Sequence, residues 1–399
     1  MRWIAGGVTA AKGFKASGVS AGIKLSRKPD LCLVRAEHPA TAAAVFTKNR
    51  VQAAPVLISK RRVRQGRAAA VLINSGCANC MTGEPGMRDA LALSRAVSRA
   101  LDSYDRDVLV ASTGVIGRRL PVARIERAVP SLVARLDRAR HAAAAAAILT
   151  TDLRVKEAAV EAVIGGRRCR LGGMAKGAGM IAPSMATMLG VITTDVAIAP
   201  ALLRLRLQDA TALTFNRISV DGDMSTNDTV FALASGRSGV IIRPGTAGER
   251  RFAAMLEAVA GKLARLIVKD GEGASRIMEV IISGARTERE ADDCARQVVN
   301  SPLVKTMLAG ADPNVGRIAA AVGASPARFD PNELDIHIGR QRVVANGAAV
   351  RLPKSVTREL LMRPEVRVRI HLHAGRARAR ILACDLTEEY VRINARYTT

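Results

Sequence analysis

The sequence predicts an α/β fold with a smaller α+β segment at the C-terminal end. Three observations carry this. Short apolar runs that stop at Gly-, Ser- or Asn-rich turns alternate with segments of helical apolar spacing. Hydrophobic residues fill 49% of the 399 positions, enough for a large core, but aromatics are only 3%, so that core is built from Ala, Val, Leu, Ile and Met. Near residue 285 the mixed pattern gives way to an alternating tail.

The elements follow in order. Residues 68–73 are an apolar run entering the turn-rich Asn74-Ser-Gly-Cys-Ala-Asn79, which predicts a buried strand and a loop. A helix is expected over 87–101, where Leu93, Val97 and Leu101 recur four apart after Pro85-Gly86. A second strand, 107–111, runs into Ser112-Thr113-Gly114, and 125–136 and 142–149 are helical in pattern. Gly165-Gly166 is a turn between strands. Residues 189–198 predict a strand pair and 200–214 a helix. Over 249–267, Phe252, Leu256, Val259, Leu263 and Leu266 form one helical stripe, and a strand resumes at 277–282. Val366, Val368, Ile370 and Leu372 alternate with Arg367, Arg369, His371 and His373, and the alternation resumes after Gly375, which predicts a hairpin with one solvated face. Thr387-Glu-Glu looks like the capped start of a short helix.

The net charge is +26 with a pI of about 11.1. Clustered arginines such as Arg376-Ala-Arg-Ala-Arg380 raise nucleic-acid binding as one reading. They are not interleaved with stacking aromatics, and an arginine-biased composition on solvated faces is the plainer account, so no specific nucleic acid is expected. Six cysteines in so long a chain do not make a disulfide scaffold, and Cys77-Ala-Asn-Cys80 lacks a second pair at zinc spacing. The five histidines lie away from the Gly-rich turns, which argues against a Ser-His-Asp triad or a His-based metal site. Apolar runs fall far short of the roughly 18 residues that span a bilayer. The opening Met1-Arg-Trp-Ile-Ala-Gly-Gly-Val8 lacks a signal-peptide core, so a cytoplasmic location is expected.

Four stretches offer chemistry. In Met174-Ala-Lys-Gly-Ala-Gly-Met-Ile-Ala-Pro-Ser-Met-Ala-Thr-Met-Leu189, glycines and a proline allow unusual backbone near Ala186-Thr187. A cut before Thr187 frees an α-amino group whose reference pKa, roughly 8, suits it as base for its own hydroxyl. The alternative is a threonine in a Met-rich core strand. Thr113 and Gly114 end a strand and offer a hydroxyl and backbone donors for an oxyanion, or form a simple turn. Val220-Asp-Gly-Asp-Met-Ser-Thr-Asn-Asp228 is rich in oxygen ligands, but Thr226 and Ala232 stand where a calcium loop needs Gly and Glu. A loop of internal hydrogen bonds beside an active site fits it better. Glu272, in Asp270-Gly-Glu-Gly273, suits a substrate ammonium, and Lys176 a substrate carboxylate; a terminating loop and a surface lysine are the alternatives.

Taken in order, Gly7-Val-Thr-Ala10, Gly13-Phe-Lys15, Val45-Phe-Thr-Lys-Asn49, Ala53-Ala-Pro-Val56, Asn74-Ser-Gly-Cys-Ala-Asn79, the four stretches above and Tyr390-Val-Arg-Ile-Asn-Ala-Arg-Tyr-Thr-Thr399 resemble the ArgJ family, the ornithine acetyltransferases of arginine biosynthesis. The resemblance covers nearly the whole chain. It implies a layered α/β sandwich related to the aminopeptidase DmpA. It also implies cleavage between Ala186 and Thr187, giving pieces 1–186 and 187–399, with a smaller C-terminal domain from about 285. Thr187 would be the nucleophile, Thr113 and Gly114 the oxyanion hole, and Lys176, Thr187, Glu272, Asn394 and Thr399 the substrate contacts. The implied reaction moves an acetyl group from N2-acetylornithine to glutamate without a metal or organic cofactor, with acetyl-CoA as a further acetyl donor in some members. The pieces would assemble as two copies of each. A DmpA-type self-processing aminopeptidase and a non-catalytic basic nucleic-acid-binding protein are the rival readings. Three positions depart from the family pattern: Leu153 stands for a substrate-binding threonine, Ala178 for a serine and Ser184 for an asparagine.

Overall fold

In this computed structural model, residues 1–182 and 188–396 are described. Among them one mixed sheet runs in the order Arg2–Trp3, Lys156–Ile164, Arg167–Lys176, Leu189–Thr194, Thr229–Ala234, Leu31–Phe46, Arg67–Cys77, Val108–Val115, with Phe14–Val19 also paired to Leu31–Phe46. The sheet folds back on itself along the long strand Leu31–Phe46, whose pairing with Arg67–Cys77 shifts between Arg35 and Ala40. One face of each half turns inward, where Met174, Val191 and Phe231 share a core with Val34, Val71 and Leu109. On one outer face, Leu171, Ile192 and Val230 meet Leu256, Val259 and Leu263 of the helix Ala247–Lys269. On the other, Leu33, Leu72 and Val110 meet the helices Gly83–Ala100 and Val122–Ala134 through Leu93, Val97, Ile125 and Val129. The two-residue side-chain period of each strand feeds two cores at once. The outcome is helix, sheet, sheet, helix: the layered α/β class that was expected.

Arg67–Cys77 is parallel to Val108–Val115, and Leu189–Thr194 to Thr229–Ala234. Parallel neighbours need a crossover, supplied by Gly83–Ala100 in the first pair and Pro200–Leu213 in the second. The turns expected at 74–77 and 112–114 are strand instead. The ladder continues through Asn74↔Ser112, Ser75↔Thr113 and Gly76↔Gly114. Ser112 Oγ donates to Asn74 Oδ1 at 2.5 Å, so the polar residues that signal turns form a buried polar ladder. The expected strand pair at 189–198 is not a pair either. Leu189–Thr194 belongs to the large sheet, whereas Ala197–Ile198 pairs with Ile241–Ile242. The chain leaves the sheet at buried Asp195, whose carboxylate takes the Arg170 amide at 2.8 Å.

A second sheet runs Ile218–Ser219, Ala377–Cys384, Ile277–Ala285, Glu365–His371, Asp335–Ile338, Gln341–Ala345, Ala348–Ala349. The expected C-terminal hairpin is overturned here. Glu365–His371 and Ala377–Cys384 alternate as foreseen, but they flank Ile277–Ala285, parallel on one side and antiparallel on the other. Residues 372–376 cross the end of that strand, where the Leu372 and Ala374 amides donate to the Ser283 and Gly284 carbonyls at 2.9 and 2.7 Å. Two strand spacings are about 10 Å, within reach of so short a connection. Val298, Met307 and Ile318 of the helices Glu288–Asn300, Pro302–Gly310 and Gly316–Gly323 cover one face. On the other face, exposed Arg367 and Arg380 both pair with Glu279, which gives part of the positive charge a solvated, structural place. No helix among the described residues is long and apolar enough to cross a membrane.

Candidate active site

Thr113, Gly114, Lys176, Glu272 and Asn394 line one cavity together with Thr150, Thr151 and the 225–227 loop. Thr113 and Gly114 arrive on the parallel ladder described above. Gly114 has φ +127°, and a Cβ there would sit 2.6 Å from the Cys77 nitrogen, so only glycine fits. Asn227 Nδ2 donates to the Ala78 and Ser112 carbonyls at 2.7 and 2.8 Å, which ties the 220–228 loop to the strand end that carries Thr113.

Lys176 ends the strand Arg167–Lys176 and stands opposite Leu189. Its ammonium is buried, donates to Thr113 Oγ1 at 3.3 Å and lies 3.9 Å from Asp152 Oδ2. Burial lowers the Lys176 pKa, and the Lys156 charge lowers it further, while Asp152 opposes both. Asp152 is in turn held by Lys156, whose Nζ is 2.6 Å from Asp152 Oδ1 and 2.6 Å from Asp270 Oδ2. Burial alone would raise the Asp152 pKa, but Lys176 and Lys156 hold it below the usual carboxylate range. Asp152 also takes the Gly177 amide at 2.6 Å, and so orients the glycine turn after Lys176. This charge network was not foreseen. The sequence marks it only weakly: Lys156 opens a strand that also carries Glu157 and Glu161, and Asp152 lies four residues earlier.

Glu272 sits against Gly179, where any Cβ would collide with its carboxyl group. Its amide donates to the Ala178 carbonyl at 2.8 Å. Asn394, on the helix Glu388–Arg396, donates to Glu272 Oε2 at 2.8 Å. That helix is tethered by Thr387 Oγ1, which donates to the Gly273 carbonyl at 2.6 Å, and by Tyr390 Oη, which donates to Asp221 Oδ2 at 3.3 Å. Leu153 is 84% exposed and does not line the cavity, whereas Thr150 and Thr151 do. Ala178 is buried.

Ser184, Ala186, Thr187 and Thr399 lie outside the described residues. The chain on either side of 183–187 is anchored by the 220–228 loop. Asp221 accepts the Met180 and Ile181 amides at 2.5 and 2.8 Å, and Asp228 Oδ1 accepts the Met188 amide at 3.1 Å. The loop's acids thus hold backbone, with further internal bonds such as the Asn227 amide to Ser225 Oγ at 3.0 Å. Among the described residues no cluster of three His, Cys, Asp or Glu could hold a metal ion. Cys77 and Cys80 are buried free thiols.

The sequence matches the ArgJ family over residues 15–399. It is 46% identical over 402 residues to the arginine biosynthesis bifunctional protein ArgJ of Symbiobacterium thermophilum, covering 100% of both chains. The chain belongs to the ArgJ family. The chloroplastic ArgJ of Oryza sativa is 44% identical, across 99% of this chain and 88% of that protein. A crystal structure of the Mycobacterium tuberculosis ornithine acetyltransferase complexed with ornithine is 43% identical, across 46% of this chain and 98% of that chain, with a TM-score of 0.43. A Burkholderia β-aminopeptidase is 12% identical, across 67% of this chain and 87% of that chain, with a TM-score of 0.44.

Proposed function

We propose that this ArgJ-family chain is a self-processing acetyltransferase of arginine biosynthesis. It cuts itself between Ala186 and Thr187, and the freed Thr187 carries an acetyl group from N2-acetylornithine to glutamate. The observation that supports this most is the meeting of Thr113, Gly114, Lys176, Glu272 and Asn394 in one cavity, beside anchored chain on both flanks of 183–187. Thr187 Oγ attacks the acetyl carbonyl while its own amine takes the hydroxyl proton. The developing oxyanion is stabilised at Thr113 and Gly114. The amine returns the proton to the departing ornithine nitrogen. Glutamate then attacks the acetyl-threonine by the reverse path. Lys176 receives a substrate carboxylate, and Glu272, oriented by Asn394, receives a substrate ammonium. Thr399 completes the substrate contacts.

Nucleophile and base both belong to Thr187, so the chemistry needs no metal or organic cofactor. Relatives named bifunctional motivate acetyl-CoA as a second acetyl donor. The two pieces hold together because strands of 187–399 are inserted between strands of 1–186: Leu189–Thr194 and Thr229–Ala234 lie between Arg167–Lys176 and Leu31–Phe46. Two copies of each piece form the working assembly, in the cytoplasm. The test is the intact mass under denaturing conditions, followed by isotope-labelled acetyl transfer from N2-acetylornithine to glutamate. Two fragments meeting at Ala186/Thr187 with transfer are expected. A single 42.2 kDa chain without transfer refutes the reading.

A further inference from the structure

We propose that Asp228 is the base of the self-cleavage step, acting on the Thr187 hydroxyl in the uncut chain. This rests on the self-processing reading above. After the cut, Thr187 has a free amine to serve as base. Before the cut that nitrogen is an amide with no basicity, so the first proton transfer needs another group. Asp228 is the group the described residues offer. Asp228 is fully buried at the start of the strand Thr229–Ala234. Its Oδ1 accepts the Met188 amide at 3.1 Å, and the Thr229 amide donates to the Met188 carbonyl at 3.1 Å. Met188 directly follows Thr187 in sequence, so Oδ1 holds the residue next to the cut. The second oxygen, Oδ2, has no hydrogen-bond partner among the described residues. A fully buried, unpartnered carboxylate oxygen is costly and calls for a reason.

The neighbouring charged groups are already engaged. Asp152 and Asp270 share Lys156. Asp221 is taken by the Met180 and Ile181 amides and by Tyr390. Glu272 is held by Asn394, and Lys176 is bonded to Thr113. Burial raises the Asp228 pKa well above the ordinary carboxylate value, and the Met188 amide and the Lys176 charge act the other way. A carboxylate raised in this way is a stronger base than an exposed one.

The step balances as follows. Asp228 Oδ2 takes the Thr187 hydroxyl proton, and Oγ forms a bond to the Ala186 carbonyl carbon. The Ala186–Thr187 C–N bond breaks as the nitrogen receives that proton, leaving an ester through Oγ. Water hydrolyses the ester, its hydroxyl going to the Ala186 carboxyl and its remaining hydrogen to Oγ. Asp228 ends unchanged.

The experiment follows self-cleavage of the freshly purified full chain by intact mass, from pH 5 to 9, for wild type, Asp228→Asn and Asp228→Glu, with melting temperatures alongside. Asparagine keeps the shape and accepts the Met188 amide but cannot take a proton. The expected result is a folded Asp228→Asn chain cut at least about 100-fold more slowly, with wild-type cutting that rises with pH as Asp228 ionises. Folded Asp228→Asn cut at the wild-type rate overturns the proposal and leaves the acetyltransferase reading standing. Wild type that never cuts removes that reading itself. If Asp228→Asn does not fold, Asp228→Glu decides: a displaced pH profile supports the proposal and an unchanged profile overturns it.

Discussion

Replacing Lys156 with Met tests the charge network beneath the site. Lys156 is 1% exposed, and its ammonium lies 2.6 Å from both Asp152 and Asp270. At an effective dielectric of about 20, each contact is worth about 6 kcal/mol of gross attraction. Desolvation of the three charges offsets most of this. Removing one member of a buried pair strands its partners and costs about 3–5 kcal/mol. Against a total stability of about 5–15 kcal/mol that loss is large. The assay is urea unfolding of wild type and Lys156→Met followed by circular dichroism. The pH dependence carries a further sign. In wild type the Asp152 pKa is held down, so its contribution is present above the ordinary carboxylate pKa and lost as pH falls through the lowered folded value. In the variant, burial acts with less opposition, and protonating Asp152 relieves the defect. The deficit is therefore expected to shrink between about pH 7.5 and pH 5. A loss under about 1 kcal/mol at the higher pH, or a deficit that widens on acidification, refutes the reasoning.

Gly114→Ala places a Cβ 2.6 Å from the Cys77 nitrogen at φ +127°. It should destabilise the chain by about 2–4 kcal/mol and abolish acetyl transfer, read by melting temperature and product mass. Leu153→Thr should change KM less than about twofold, because Leu153 is 84% exposed, whereas Thr150→Ala or Thr151→Ala should raise it by about 1 kcal/mol of binding, some fivefold. Burial lowers the Lys176 pKa, so the cation is lost at lower pH than an ordinary lysine, and KM for the carboxylate substrate should climb on the alkaline side before free lysine titrates. Asn394→Ala should raise KM more than it lowers kcat, since it orients Glu272 rather than touching the reacting carbonyl.

Much was legible in the sequence because local patterns act locally. The stripe of Phe252, Leu256, Val259 and Leu263 specified its helix, and Gly165-Gly166 its turn. The alternation of Val366, Val368 and Ile370 told which side of its strand is buried. The motifs around Thr113, Lys176, Glu272 and Asn394 were nameable before any fold was known, and the structure brings them to one cavity.

What the sequence could not determine is pairing. Alternation says which face of a strand is buried, not which strand lies beside it, so the 366–380 arms read as a hairpin until Ile277–Ala285 was found between them. Turn residues can equally form a buried ladder, as Asn74 and Ser112 do, because their hydrogen bonds are satisfied by a strand distant in sequence. Charge networks share this limit. Lys156, Asp152 and Asp270 are ordinary ionisable residues in one dimension. Only their burial together, out of water and within 2.6 Å, makes them the support on which Lys176 stands.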